Sequence, residues 1–232
     1  MKISFDVISD LNLTPDESFN WDGKATSLYC IIAGNISNDL RTIYQTLTHL
    51  SKFYQGVFYT AGSLEYENIE DFRLRSEEIY KLCAAVKNVA FLHNHVVIVD
   101  GVAILGANGW YGNTPFGGMF SELRKEEHRY EDISYLGNTI EKLQLHMDVR
   151  KIVAVTNSVP NIELFFGEVP EGIIDQLPPN IALINDTEHK TSHWIFGSFD
   201  KTVDTVISGV NYVNNSYFKR RPYWAKVIEI TI

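Results

Sequence analysis

The stretch Val7-Ile8-Ser9-Asp10-Leu11-Asn12-Leu13 constrains the fold more than any other. It closes an alternating run in which Ile3, Phe5 and Val7 share one face, the pattern of a strand with one buried side. A carboxylate, a spacer and a polar residue then fall where the strand should end. In an α/β protein that is where chemistry is presented, at the carboxyl ends of strands. An Asp-x-His sequence there would bring two ligating side chains to one ion; this chain has Asp10-Leu11-Asn12.

Further strand-then-polar-turn units follow. Ser27 to Ala33 reads as an apolar strand buried on both faces, ending at Gly34-Asn35. A helix carries Leu40, Ile43, Tyr44, Leu47 and Leu50 on one face, with Ser37 or Asn38 as its cap and Asp39 at the positive end of its dipole. Gly56 to Thr60 is the next strand, ending near Gly62-Ser63-Leu64-Glu65. A second helix is marked by Phe72, Ile79, Leu82, Cys83 and Val86. Asp100-Gly101 between two apolar runs signals a two-residue hairpin. A third helix is expected near Ile133 to Met147, and a strand from Lys151 to Val155 that ends at Thr156-Asn157-Ser158. The last third reads as short strands at Ile181 to Ile184, His193 to Phe196, Thr202 to Ile207 and Ala225 to Ile230. The expectation is one α/β domain over residues 1–232 with two sheets.

Taken together, Asp10-Leu11-Asn12, Gly34-Asn35, Gly62-Ser63-Leu64-Glu65, Thr156-Asn157-Ser158 and Gly197-Ser198-Phe199-Asp200 resemble the five-block signature of the calcineurin-like metallophosphoesterases. The family pattern is D-x-H, G-D, G-N-H-[ED], a T-H-H-like block and G-H-x-H, and the resemblance runs along nearly the whole chain. It implies a metallophosphoesterase sandwich, two mixed β-sheets with helices on the outer faces. It also implies a two-metal centre in which the ions polarise a phosphate and activate water while a His protonates the leaving group.

Carried over by position, the resemblance leaves little of that centre. Asp10 matches the first ligand. Asn12 stands for a His, Asn35 for the bridging Asp, Ser63 for the ligand Asn and Leu64 for the general acid. Asn157 and Ser198 stand for two ligand His, and Asp200 for the last, the one plausible substitute. Neutral Asn and Ser oxygens are weak ligands for transition metals, and Leu64 cannot move a proton. The expectation is therefore no catalytic residue, no bound cofactor and no metal pair: a pseudoenzyme that acts by binding a protein. A module holding a phosphate-bearing small molecule, and a metal-dependent phosphoesterase with atypical ligands, are the alternatives. By analogy with compact phage proteins, a virion or host-takeover role is a further expectation.

A net charge of -9 argues against general nucleic-acid or anionic-membrane binding. Cys30 and Cys83 read as buried thiols, and the chain lacks an apolar run long enough to span a membrane, so a cytoplasmic location is expected. Candidate partner-binding residues are Trp110, Tyr111, Phe116 and Phe120 in an irregular segment, 108–130, and Arg220 and Arg221 in a basic, aromatic one. The charged run Arg124 to Arg129 reads as a solvated helix face. His93 and His95 read as a structural pair.

Overall fold

The computed structural model describes residues 1–110, 122–169, 178–217 and 222–232. Two mixed sheets face each other. The first holds β1 (Lys2–Ile8), β2 (Tyr29–Ala33), β3 (Gly56–Thr60), β4 (Val89–Phe91) and β11 (Lys226–Thr231), in the order β11-β1-β2-β3-β4. The second holds β5 (His95–Val99), β6 (Val102–Ala107), β7 (Lys151–Thr156), β8 (Thr191–Phe196), β9 (Val203–Ile207) and β10 (Val210–Asn214), in the order β5-β6-β7-β8-β10-β9. The centre of each sheet is parallel, and antiparallel strands lie at β11, β5 and β9. Helices α1 (Leu40–Leu50) and α2 (Phe72–Ala84) cover the first sheet, and α3 (Glu122–Leu145) covers the second.

Alternation along the strands builds this layering. In β2, Ile31 and Ala33 point between the sheets, while Cys30 and Ile32 meet α1. In β7, Val153 and Val155 enter the inter-sheet core, while Ile152 and Ala154 pack under α3. A strand buried on both faces must read as a continuous apolar run, as these do. Both cysteines are buried and unpaired. The β5–β6 turn has Asp100 at φ 48° and Gly101 at φ 82°, the left-handed pair that matches strand twist.

Several elements differ from the sequence reading. Asp39, rather than Ser37 or Asn38, caps α1, accepting the Thr42 amide at 2.7 Å. Tyr44 is exposed. Ile181 to Ile184 form no strand but lie in a 3₁₀ helix, Pro179–Asn185, with proline at its start. A short apolar run fits either, and proline favours the helix start. The α3 helix begins eleven residues before the expected Ile133. Arg129, expected on a solvated face, is buried. Trp21, in the polar loop after β1, is fully buried. Its indole donates to Tyr54 Oη at 2.6 Å, and Tyr54 donates to Asp6 at 2.8 Å. Among the described residues no helix is long and apolar enough to cross a membrane.

Candidate functional site

The parallel centres end at one side of the sandwich, and their exits bring the five sequence blocks together. The loop after β1 carries Asp10 and Asn12, both with positive φ. The exit of β2 carries Asn35, also with positive φ, and that of β3 carries Ser63 and Leu64. Asn157 follows β7, and Ser198 follows β8.

These side chains bond to one another across both sheets. Asn35 Nδ2 donates to Asp10 Oδ1 at 2.9 Å and to Ser198 Oγ at 3.0 Å. Ser198 donates its amide to Asp10 Oδ1 at 2.9 Å and its hydroxyl to Asn157 Oδ1 at 2.8 Å. Asn157 Nδ2 donates to the Ala33 carbonyl at 3.0 Å, while Asn157 Oδ1 also accepts the Ser63 amide at 3.1 Å. The Leu64 amide donates to Asn35 Oδ1 at 3.0 Å. Asn12 turns back on its own loop, its amide side chain donating to the Asp10 carbonyl at 2.9 Å. Asp200 is exposed, two residues beyond Ser198.

Packing around the cluster is tight. A Cβ on Gly62 would sit 2.6 Å from Asn157 Cγ and closer still to Asn35 Oδ1. A Cβ on Gly197 would sit 2.7 Å from Asn157 Nδ2 and overlap the Ala33 carbonyl. Only a residue without a side chain allows the backbone this close.

Among these bonded side chains, Asp10 carries a carboxylate. Burial pushes its pKa up from 3.8 to about 6, against the Ser198 amide, the Asn35 side chain and the Ser9 and Ser216 hydroxyls, which favour the charged form. Its Oδ2 is buried and makes no hydrogen bond of normal geometry.

Glu65 is a further site residue, which sequence reasoning quoted only as the end of a block. Fully buried, it accepts the amides of Asn35 at 3.0 Å, Ile36 at 2.5 Å and Gly62 at 2.7 Å, tying the exits of β2 and β3 together. Burial raises its pKa, against the Gly62 and Ile36 amides and the Tyr59 hydroxyl. A carboxylate following Gly62-Ser63-Leu64 was the signal that could have found it.

A two-metal centre does not fit these residues. An amide N–H of Asn35 fills the space between Asp10 and Ser198 and points its hydrogens at the ligand oxygens, where a bridging carboxylate would be needed. Among the described residues no group of three or more His, Cys, Asp or Glu side chains could hold a metal ion.

Trp110 departs from the expected partner surface. It is only 6% exposed, stacked on Phe72 with ring centroids 4.9 Å apart and edge-on to Tyr66 at 5.1 Å. The apolar ring is more stable under α2 than in water. Tyr111, Phe116, Phe120, Arg220 and Arg221 lie outside the described residues.

Among solved structures, the chain is similar to phosphopantetheinyl hydrolase from Mycobacterium tuberculosis, with a TM-score of 0.70 and 16% identity over 98% of this chain and 96% of that one. It is also similar to a putative 5'-nucleotidase from Staphylococcus aureus, at TM-score 0.56 and 11% identity; all of this chain is covered, and it spans 51% of that protein. GAP50, the anchor in the inner membrane complex of Plasmodium, matches at TM-score 0.50 and 10% identity over 99% of this chain and 81% of that one. No family model matches the chain, and a search of curated proteins finds no relative. The fold is that of the calcineurin-like metallophosphoesterases, two mixed sheets flanked by helices. The expectation that the chain is not an enzyme is overturned by these likenesses, since two of the structures that share its fold are named as a hydrolase and a nucleotidase.

Proposed function

We propose that this chain uses the metallophosphoesterase scaffold to bind another protein at the edge where the five blocks meet. The observation that carries this reading is the network of Asp10, Asn35, Asn157 and Ser198, in which the two amides, the Ser198 hydroxyl and Asp10 Oδ1 are spent on one another and on the Ala33, Ser63 and Leu64 backbone. Such bonds hold the exits of β1, β2, β3, β7 and β8 in one arrangement, and a pre-ordered surface loses less entropy on binding. GAP50, named as an anchor, supports the reading as an example of this fold in such a role. Affinity capture from the native host, followed by rebuilding the pair from purified components, tests it. The expected result is a complex that Leu64→Arg, a change at the partly exposed rim of the edge, weakens at unchanged thermal midpoint. Failure of every captured protein to form a complex when purified would overturn it.

A second reading, phosphoester chemistry with an atypical metal set, is favoured by the hydrolase and nucleotidase among the neighbours and by the unmet oxygen of Asp10. Turnover of an aryl phosphodiester in excess Mn²⁺ or Mg²⁺ that disappears in Asp10→Ala would assign it.

A further inference from the structure

A second feature lies away from the network. Between α2, the N-terminal half of α3 and the β4–β5 connection is a cavity of ≈ 660 Å³, within the range of small-molecule sites. Its walls are aromatic: Tyr66, Phe72, Tyr80, Phe91 and Trp110. Phe72 lies parallel to Trp110, and Phe91 is stacked on His93 with centroids 5.6 Å apart.

The polar groups at the α3 side are Glu131, Asp132 and His128. Asp132 is buried, accepting the Gly109 amide at 2.8 Å, and Glu131 stands beside it. Asn94 supports Asp132, and its own Oδ1 is buried with no hydrogen bond. Burial pushes the Asp132 pKa up to about 6, so that a nearby cation would relieve a poorly solvated charge. Two histidines, His93 and His128, also line this end. Burial lowers the His93 pKa, and His128 already pairs with Glu131 at 3.2 Å.

The basic residues on the lining, Arg73 and Lys81, are exposed on α2, and Glu77 lies four residues from each. The cavity therefore carries the carboxylates of Glu77, Glu131 and Asp132 against Arg73, Lys81 and the three histidines His93, His95 and His128, with the buried Asp132 on a different element from Arg73 and Lys81. At that end the buried Asp132 and the neighbouring Glu131 disfavour an anion. Aromatic faces joined to carboxylates are the surroundings that attract an organic ammonium.

We propose that this cavity binds a small organic cation, its ammonium head against Asn94, Glu131 and Asp132 and its body between the aromatic walls. Titration calorimetry with choline, its uncharged carbon analogue 3,3-dimethylbutan-1-ol, and benzoate as an anion tests this. Choline is expected to bind saturably and at least about tenfold more tightly than the uncharged analogue. Glu131→Gln and Tyr80→Ala, both at exposed positions, should each weaken choline about three- to tenfold at unchanged thermal midpoint. No saturable choline binding, equal affinity for the uncharged analogue, tighter binding of benzoate, or choline affinity unchanged in both variants would overturn the proposal.

Discussion

Replacing Asp10 with asparagine separates a hydrogen-bonded network from a metal centre. The carboxyl is fully buried and its pKa is raised from 3.8 to about 6. A raised carboxyl pKa means that the folded state disfavours the charged form. The associated destabilisation is absent below about pH 3.8, grows as pH rises to about 6, and is complete above it. At 1.36 kcal/mol per pH unit of displacement, it amounts to about 3 kcal/mol at neutral pH. In Asp10→Asn the remaining Oδ1 can still accept from Asn35 and Ser198. The new amide nitrogen takes the place of Oδ2, and the Ser9 and Ser216 hydroxyls beside the carboxyl can accept from it. Discounting for burial of that amide, the variant should be about 1–3 kcal/mol more stable than the parent at pH 7.5 and near parity at pH 4. Urea unfolding at the two pH values, followed by tryptophan fluorescence, measures this directly. A metal ligand would behave in the opposite way, because Asn binds transition metals weakly and any stabilisation by Mn²⁺ would be lost. A variant less stable at pH 7.5, with a parent midpoint that rises on adding Mn²⁺, would refute the reasoning.

Three further outcomes follow from the geometry. Gly62→Ala should lose about 2–4 kcal/mol in urea, because the new methyl meets Asn35 and Asn157 in a packed site; a neutral effect would mean that the network is loose. Glu65→Ala should cost about 3 kcal/mol or more by leaving the amides of Asn35, Ile36 and Gly62 without their acceptor, and Glu65→Gln less, both read from the denaturant midpoint. Trp110→Ala should lower stability by about 3–5 kcal/mol, as a buried ring packed on Phe72 and Tyr66 requires, whereas an exposed partner contact would leave the thermal midpoint nearly unchanged.

Much of this architecture was legible because it is written in local patterns. Ile31 and Ala33 facing one core and Cys30 and Ile32 another leave a continuous apolar run, and Asp100-Gly101 has few conformations besides a tight hairpin. Each polar block was legible as the end of a strand, but Asp200, read as the one plausible ligand substitute, lies exposed beyond Ser198, whose hydroxyl and amide join Asp10, Asn35 and Asn157 instead. What the sequence withheld depends on distant packing. The short β4 and the second hairpin strand β10 lack strong patterns of their own, and Ser208-Gly209, both with positive φ, was a turn signal not used. Trp110 and Trp21 sit in segments that read as polar or irregular, and only their neighbours from α2 and from Tyr54 make them core. The cavity beside α3 combines three separate elements, so no single window of sequence contains it.

The central claim is that the strand ends hold a hydrogen-bonded lattice where a two-metal phosphoesterase would hold its ions. Metal content by mass spectrometry, on protein purified without chelators from cells supplied with Mn, Fe and Zn, tests it most directly. The account predicts well under one equivalent of these metals per chain, unchanged in Asp10→Ala. Two equivalents that are lost in Asp10→Ala would contradict it.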